Sequence, residues 1–249
     1  MRPANGAPKL RLILVHASIS GYEAYRPLVE NIDNNIEIYG IDSYNLYAQE
    51  DELIKDSNTL VNLYVSQIEN ELIDKSIPIC LGGWSLGGLM ANFISSRLAL
   101  NYRVIGLIGL DAVFYDDAYA ELFMDDALHY FMDIEKLLLQ TDSSKEASNI
   151  QVRLSNLLKV ERSIAKSIVQ IMRDTPVLNI IASKTRHDIP DLKLSNLFNQ
   201  LKKDNGWKLT NDDQVIFIDC GHEQIVGANL AKEISGYINQ YLEKSCSII

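Results

Sequence analysis

Short runs rich in Ile, Val and Leu alternate along the chain with longer stretches whose apolar residues recur every three or four positions. The short runs are Leu10 to Val15, Ile36 to Ile41, Ile77 to Leu81, Val104 to Leu110, Val177 to Ala182 and Val215 to Ile218. Most are apolar at successive positions, as strands buried on both faces are. Between them, Leu60, Leu63, Tyr64, Ile68 and Leu72 share one helical face, as do Leu89, Phe93, Ile94 and Leu98, and again Ile234, Tyr237, Ile238 and Tyr241. This alternation predicts an α/β fold, a mostly parallel sheet flanked by helices.

The rhythm breaks once. From Asp111 to Thr175 there is no strand-like run; Leu122, Leu128, Phe131 and Leu137 mark one helical pattern, and Ile150, Leu154, Leu157, Leu158, Ile164, Ile168 and Ile171 mark a second. Residues 112–175 are therefore expected to form a helical insertion over the strand ends, where α/β proteins build their sites, the plainer reading being an ordinary pair of packing helices. No repeat, low-complexity tract or linker divides the chain, so residues 1–249 read as a single domain.

Composition narrows the function. With 47% hydrophobic and 22% charged residues, the chain has the make-up of a soluble globular domain. Its 33 acidic against 23 basic residues give a net charge of −10, which argues against nucleic acid as a partner, because a phosphate backbone needs surplus Lys and Arg. Cys80, Cys220 and Cys246 are few, odd in number and without metal-ligand spacing, and no two histidines are spaced as ligands; this suits a reducing cytoplasm and no metal. The first eight residues are polar and turn-forming, and the run Leu10 to Val15 is too short for a signal or a membrane span, so neither export nor a membrane is expected. The ending Cys246-Ser247-Ile248-Ile249 places a cysteine four from the end, as in prenylated proteins, but without a polybasic stretch it reads as a frayed tail.

The chemistry concentrates in Gly82-Gly83-Trp84-Ser85-Leu86-Gly87-Gly88, a Gly-x-Ser-x-Gly sequence directly after a predicted strand and directly before a helix. A serine there sits on a tight turn with its hydroxyl above the sheet and a helix N-terminus behind it, the placement of a nucleophile. A serine hydroxyl needs a base, and His222, just past the last strand, lies at the expected sheet edge. His16 ends the first strand and reads as a hydrogen-bonded edge histidine, while His129 and His187 read as exposed. For the carboxylate that orients the base there are two positions, Asp111 at the end of the Val104 to Leu110 strand and Asp188 (with Asp191) after the following strand. Asp111 is favoured: it is a single carboxylate closing an apolar strand, whereas Asp188 lies among Lys184, Arg186 and His187. The oxyanion donors are expected to be the N–H of Leu86 and, from the loop His16-Ala17-Ser18-Ile19-Ser20-Gly21, that of Ser18.

These residues resemble, almost end to end, the thioesterase domains of nonribosomal peptide and polyketide synthases within the α/β-hydrolase superfamily. Leu14-Val15-His16-Ala17-Ser18 followed by Tyr25-Arg26-Pro27-Leu28 is similar to the family's opening strand, oxyanion loop and first helix, and Gly83-Trp84-Ser85-Leu86-Gly87-Gly88 to its nucleophile motif. Gly221-His222 is similar to its base motif, and residues 112–175 occupy the position of its helical lid. The chain departs from the family in the oxyanion loop, where the family often has His-Pro followed by glycines and this chain has His16-Ala17-Ser18-Ile19-Ser20. The resemblance implies an acyl-enzyme on Ser85, formed from a substrate delivered on a carrier protein's phosphopantetheine arm, with no cofactor of its own. It also implies the product-releasing type, whose members place the acid where Asp111 stands; the editing type places it nearer Asp188. An oxygen-ester carboxylesterase with the same Ser85 and His222, and a hydrolase-fold binding protein without catalysis, are the alternatives. Carrier proteins of this kind are typically acidic, so Arg153, Lys159, Arg162 and Lys166 are candidate docking cations, or simply a solvated helix face.

Overall fold

The computed structural model describes residues 2–114, 145–168, 175–184 and 203–247. Six parallel strands, β1 (Leu10–Val15), β2 (Ile36–Ile41), β3 (Ile79–Trp84), β4 (Val104–Leu110), β5 (Val177–Ala182) and β6 (Gln214–Ile218), form one sheet in the order β2-β1-β3-β4-β5-β6. Among the helices are two short ones, α1 (Arg26–Val29) and α2 (Tyr44–Tyr47), and four longer ones: α3 (Ser57–Glu71), α4 (Leu86–Leu98), α5 (Lys145–Ser167) and α6 (Ala231–Ser247). This is the parallel sheet flanked by helices that the alternation predicts.

Burial explains the composition of each strand. Every residue of β1 and β5 is buried, whereas the outer strands β2 and β6 carry half-exposed positions. Along β1 the side chains alternate between two cores. Ile13 and Val15 join Leu60, Tyr64 and Ile68 of α3 and Leu89 and Ile94 of α4 on one face of the sheet. Leu10, Leu12 and Leu14 join Tyr25, Leu28 and, from α6, Ile234, Ile238 and Tyr241 on the other. The three predicted helix faces are the ones that are buried or half-buried. On α5, Leu157, Leu158 and Ile164, with Ile168 just past its end, lie buried as the second insertion pattern predicts; Ile150 and Ile171 fall outside the described side chains.

Two expectations are corrected. The third strand does not stop at Leu81 but runs to Trp84, because Gly82 and Gly83 remain in register with Ile108 and Gly109 of β4 rather than turning. The C-terminal tail is not frayed at Cys246: α6 continues to Ser247, and Cys246 is half-buried against the core beneath it. Most of the insertion, including residues 115–144 and 169–174, lies outside the described residues; α5 is its described part.

Sheet order decides where a site can form. The chain leaves β1 for β2 on one side and returns to β3 on the other, so the loops after β1 and β3 diverge around a crevice at their C-terminal ends. The loop at residues 17–21 and the Ser85 turn occupy those two positions.

Candidate active site

Ser85 is the turn residue between β3 and α4, with φ 55 and ψ −124, a conformation that costs a non-glycine residue about 1–3 kcal/mol. The turn is over-determined by its surroundings. Ser85 N–H donates to the Leu110 carbonyl at 3.0 Å, and the Tyr25 hydroxyl donates to Val15 O at 2.5 Å while accepting the Trp84 N–H at 2.7 Å. Glycine is required on both sides: a Cβ on Gly83 would strike the Gly87 backbone, and one on Gly87 would strike the carbonyls of Val15 and His16. That last contact also shows that the first turn of α4, with Leu86 at its start, abuts the end of β1 and the loop carrying Ser18. The Ser85 side chain makes no capping bond to its own helix.

Asp111 follows β4 directly and His222 follows β6, and the structure brings them together: His222 Nδ1 lies 2.7 Å from Asp111 Oδ2. Burial pushes the Asp111 carboxyl up, but the His222 contact, the Asn205 amide and the Ala182 N–H together outweigh it and hold the group below the usual carboxylate range. The ionised carboxylate requires hydrogen on Nδ1, which leaves Nε2 of His222 as the basic nitrogen. The other carboxylate oxygen, Oδ1, accepts from Asn205 Nδ2 at 3.0 Å and Ala182 N at 3.1 Å. Asp111 itself stands at φ 45. His222 is further fixed by Trp84, whose ring lies 5.1 Å from the imidazole centroid and whose Nε1 donates to the His222 carbonyl at 3.1 Å. Ser85, Asp111 and His222 thus share one edge of the sheet, with the Trp84 ring against the imidazole.

Tyr25, Trp84, Asn205 and the buried Trp207, whose Nε1 donates to Ala112 O at 2.8 Å, were not among the sequence candidates for this site. Asn205-Gly206 has the signature of a turn, and both residues have positive φ, but nothing local links that turn to Asp111.

The loop after β1 is held from two sides. His16 is buried at 1% exposure, as an edge histidine rather than a base; its Nδ1 lies 2.9 Å from Ala17 O and its Nε2 2.9 Å from Tyr64 Oη. Burial lowers its pKa against the Ala17 contact and Asp42, so the ring is neutral at pH 7. A carbonyl only accepts, so Nδ1 carries the hydrogen and Nε2 accepts from Tyr64, whose hydroxyl also accepts the Tyr44 N–H at 3.0 Å. From the opposite side comes Glu161 of α5, 3% exposed, whose Oε2 accepts the Ile19 N–H at 2.8 Å. Its Oε1 is buried without a hydrogen-bond partner. Burial raises the Glu161 carboxyl from 4.5 to about 7, with the Ile19 N–H and the Ser18 and Ser43 hydroxyls opposing the rise.

A raised carboxylate stabilises the fold most when protonated. Its contribution is complete below the unfolded value of 4.5 and is lost as pH rises through about 7. Relative to Glu161→Gln, which cannot ionise, the wild-type chain should therefore lose on the order of 3 kcal/mol between pH 4 and 8. Urea midpoints of both proteins across that range measure it, and parallel curves would contradict it. Comparing the two cancels the titrations of neighbouring Asp42, Tyr64 and His16.

Arg153, a candidate docking cation, is spent internally: its guanidinium donates to Leu46 O at 3.1 Å and Ala48 O at 2.7 Å, the last carbonyls around α2. Lys159 is exposed, and the side chains of Arg162 and Lys166 are outside the described set. His129, His187, Asp188 and Asp191 also lie outside the described residues. Among the described residues no helix is long and apolar enough to cross a membrane.

The family model for the thioesterase domain matches residues 10–236. No curated protein sequence matches the chain. Among solved structures, the NocB thioesterase domain from the nocardicin cluster superposes with a TM-score of 0.67 at 18% identity over 95% of each chain. The RedJ thioesterase from the prodiginine pathway of Streptomyces coelicolor gives 0.64 at 14% identity over 96% of this chain and 89% of its own. ClbQ from the colibactin nonribosomal peptide and polyketide pathway gives 0.66 at 12% identity over 97% of this chain and 100% of its own. At such identities the structural likeness speaks for the fold.

Proposed function

Because this chain belongs to the thioesterase-domain family, we propose that it releases an acyl, peptidyl or polyketide chain from a carrier protein's phosphopantetheine thioester, with Ser85 as nucleophile, His222 as base and Asp111 behind it. The observation that carries the reading is the 2.7 Å contact between His222 Nδ1 and Asp111 Oδ2 at the sheet edge where Ser85 turns. The NRPS/PKS pathway named for ClbQ supports the substrate class. The position of Asp111, immediately after β4, favours the product-releasing type over the editing type.

In this mechanism His222 Nε2 takes the Ser85 Oγ proton as Oγ attacks the thioester carbonyl, and the negative charge that forms on oxygen is met by the N–H groups of Leu86 and Ser18. The C–S bond breaks, and His222 returns the proton to the departing thiol. The acyl-Ser85 ester is then attacked by water, or by a hydroxyl or amine of the same acyl chain, again with His222 as base; the products are a free acid or a ring. Asp111 keeps hydrogen on Nδ1 throughout and stabilises the imidazolium. The chain needs no cofactor for these steps, since the phosphopantetheine arm belongs to the carrier.

The test is the mass of the product formed from an acyl-pantetheine thioester and from its matched oxygen ester, with the enzyme untreated or blocked by a fluorophosphonate. Preferential loss of the thioester, abolished by the block, is the expected result, and product mass separates acid from ring. Turnover of the oxygen ester alone makes the chain a general esterase. Failure of the fluorophosphonate to add to Ser85 makes it a non-catalytic binding protein.

A further inference from the structure

We propose that Glu161, carried by α5, is a positioning residue for the oxyanion loop: by accepting the Ile19 N–H it sets the direction of the Ser18 N–H. The inference rests on the reading above, in which Ser18 supplies an oxyanion donor.

The argument follows from the peptide groups on either side of Ser18. Its N–H belongs to the planar group that contains the Ala17 carbonyl, and its C=O to the group that contains the Ile19 N–H. His16 Nδ1 holds the first at Ala17 O, 2.9 Å away, and Glu161 Oε2 holds the second at Ile19 N, 2.8 Å away. Both groups are trans, so holding one end of each plane orients the other. With both planes held, the Ser18 N–H has one direction rather than a range. Neither clamp uses that N–H itself.

Ile19 shows that the second clamp works against a local preference. It stands at φ 44, in the left-handed region that a β-branched residue avoids. Released from Glu161, the residue gains by returning to negative φ, and that rotation turns the Ser18–Ile19 peptide with it. No glycine, which would adopt this conformation freely, stands in Ala17-Ser18-Ile19-Ser20, so here a side chain from another element supplies the constraint.

Stability alone gives no reason for a carboxylate here. Glu161 is 3% exposed, pairs with no cation among the described residues and leaves Oε1 without a hydrogen-bond partner, its polar neighbours being the Ile19 N–H and the Ser18 and Ser43 hydroxyls, while Val160 and Ile164 beside it on α5 enter the apolar core. An apolar side chain of similar length would avoid that desolvation. It would also leave the Ile19 N–H without an acceptor.

The test compares Glu161→Gln, which retains an acceptor oxygen, with Glu161→Met, which fills similar space without one. Ser85 modification by an alkyl fluorophosphonate is followed by intact mass over a range of reagent concentrations, which separates the maximal inactivation rate from reagent affinity. Ile19 amide exchange and the melting temperature are measured on the same proteins. Glu161→Met is expected to lower the maximal rate about 10- to 100-fold with affinity within about threefold, the range for a misaimed oxyanion donor. Its Ile19 amide should exchange faster, and its loss of rate should exceed what the melting temperature and unfolded fraction explain, while Glu161→Gln should react within about threefold of wild type. Equal rates for Met and wild type, equal losses for Met and Gln, or a loss explained by the unfolded fraction would each overturn the inference. If wild type itself is not modified at Ser85, the catalytic reading fails and the inference falls with it; modification of wild type with unaltered Met kinetics removes the inference alone.

Discussion

Ser85→Ala is expected to lower kcat by on the order of 10^4- to 10^6-fold while leaving the chain folded. Among the described residues nothing in the fold depends on the hydroxyl: it caps no helix, and the turn is held by backbone bonds and by Tyr25. The backbone at this position does carry a cost, because Ser85 stands at φ 55, and alanine would bear the same cost. Ser85→Gly would not, and after allowing for the greater chain entropy of glycine it should be about 1 kcal/mol more stable than Ser85→Ala. Two inactive proteins that differ in melting temperature by a few degrees would thus separate strain from chemistry. Retention of thioester turnover by either variant would displace Ser85 as the nucleophile.

Asp111→Asn should lower kcat by on the order of 10^3- to 10^4-fold, with KM and melting temperature little changed. Asparagine is the substitution best suited to show an electrostatic role. It tolerates the positive φ that Asp111 adopts, and its carbonyl oxygen can still accept from Asn205 Nδ2 and Ala182 N. Its amide N–H then faces His222 Nδ1, and the ring must move its hydrogen to Nε2, the nitrogen that deprotonates Ser85 in the proposed mechanism. The geometry survives and the base is lost. Asp188→Asn should behave as wild type; the reverse pattern would assign the acid to the loop after β5 and favour the editing type.

The ends of β1, β2, β4 and β5 coincide with the apolar runs in the sequence, because buried parallel strands leave little ambiguity once flanked by polar turns. The third strand misleads because glycines that usually interrupt a strand here keep one flat against β4 and the next against α4. Ser85, Asp111 and His222 were legible for a local reason: each stands just past a strand, so one topological rule places all three on the same edge. Their supports were not. Tyr25 reaches the Trp84 amide across 59 positions, and Glu161 reaches Ile19 across 142, contacts that exist only after the sheet and α5 have assembled. A buried glutamate within an apolar helical pattern was the one available signal for Glu161, and it points to burial without saying what the carboxylate meets. Arg153 illustrates the opposite error, a cation that looks available in sequence but is consumed by two carbonyls.

The attachment of α5 has a consequence for engineering product range by exchanging insertions between related enzymes. In sequence α5 lies between β4 and β5, yet its polar anchors are on the other side of β3: Glu161 on Ile19, Arg153 on Leu46 and Ala48, and Asn156 on Glu50. A graft bounded by the flanking strands would therefore carry away half of each contact and leave the other half on the recipient. The transferable unit is discontinuous: α5 with the loop after β1 and the α2 segment after β2. Chimaeras that move all three together should retain activity that a graft of the contiguous segment loses.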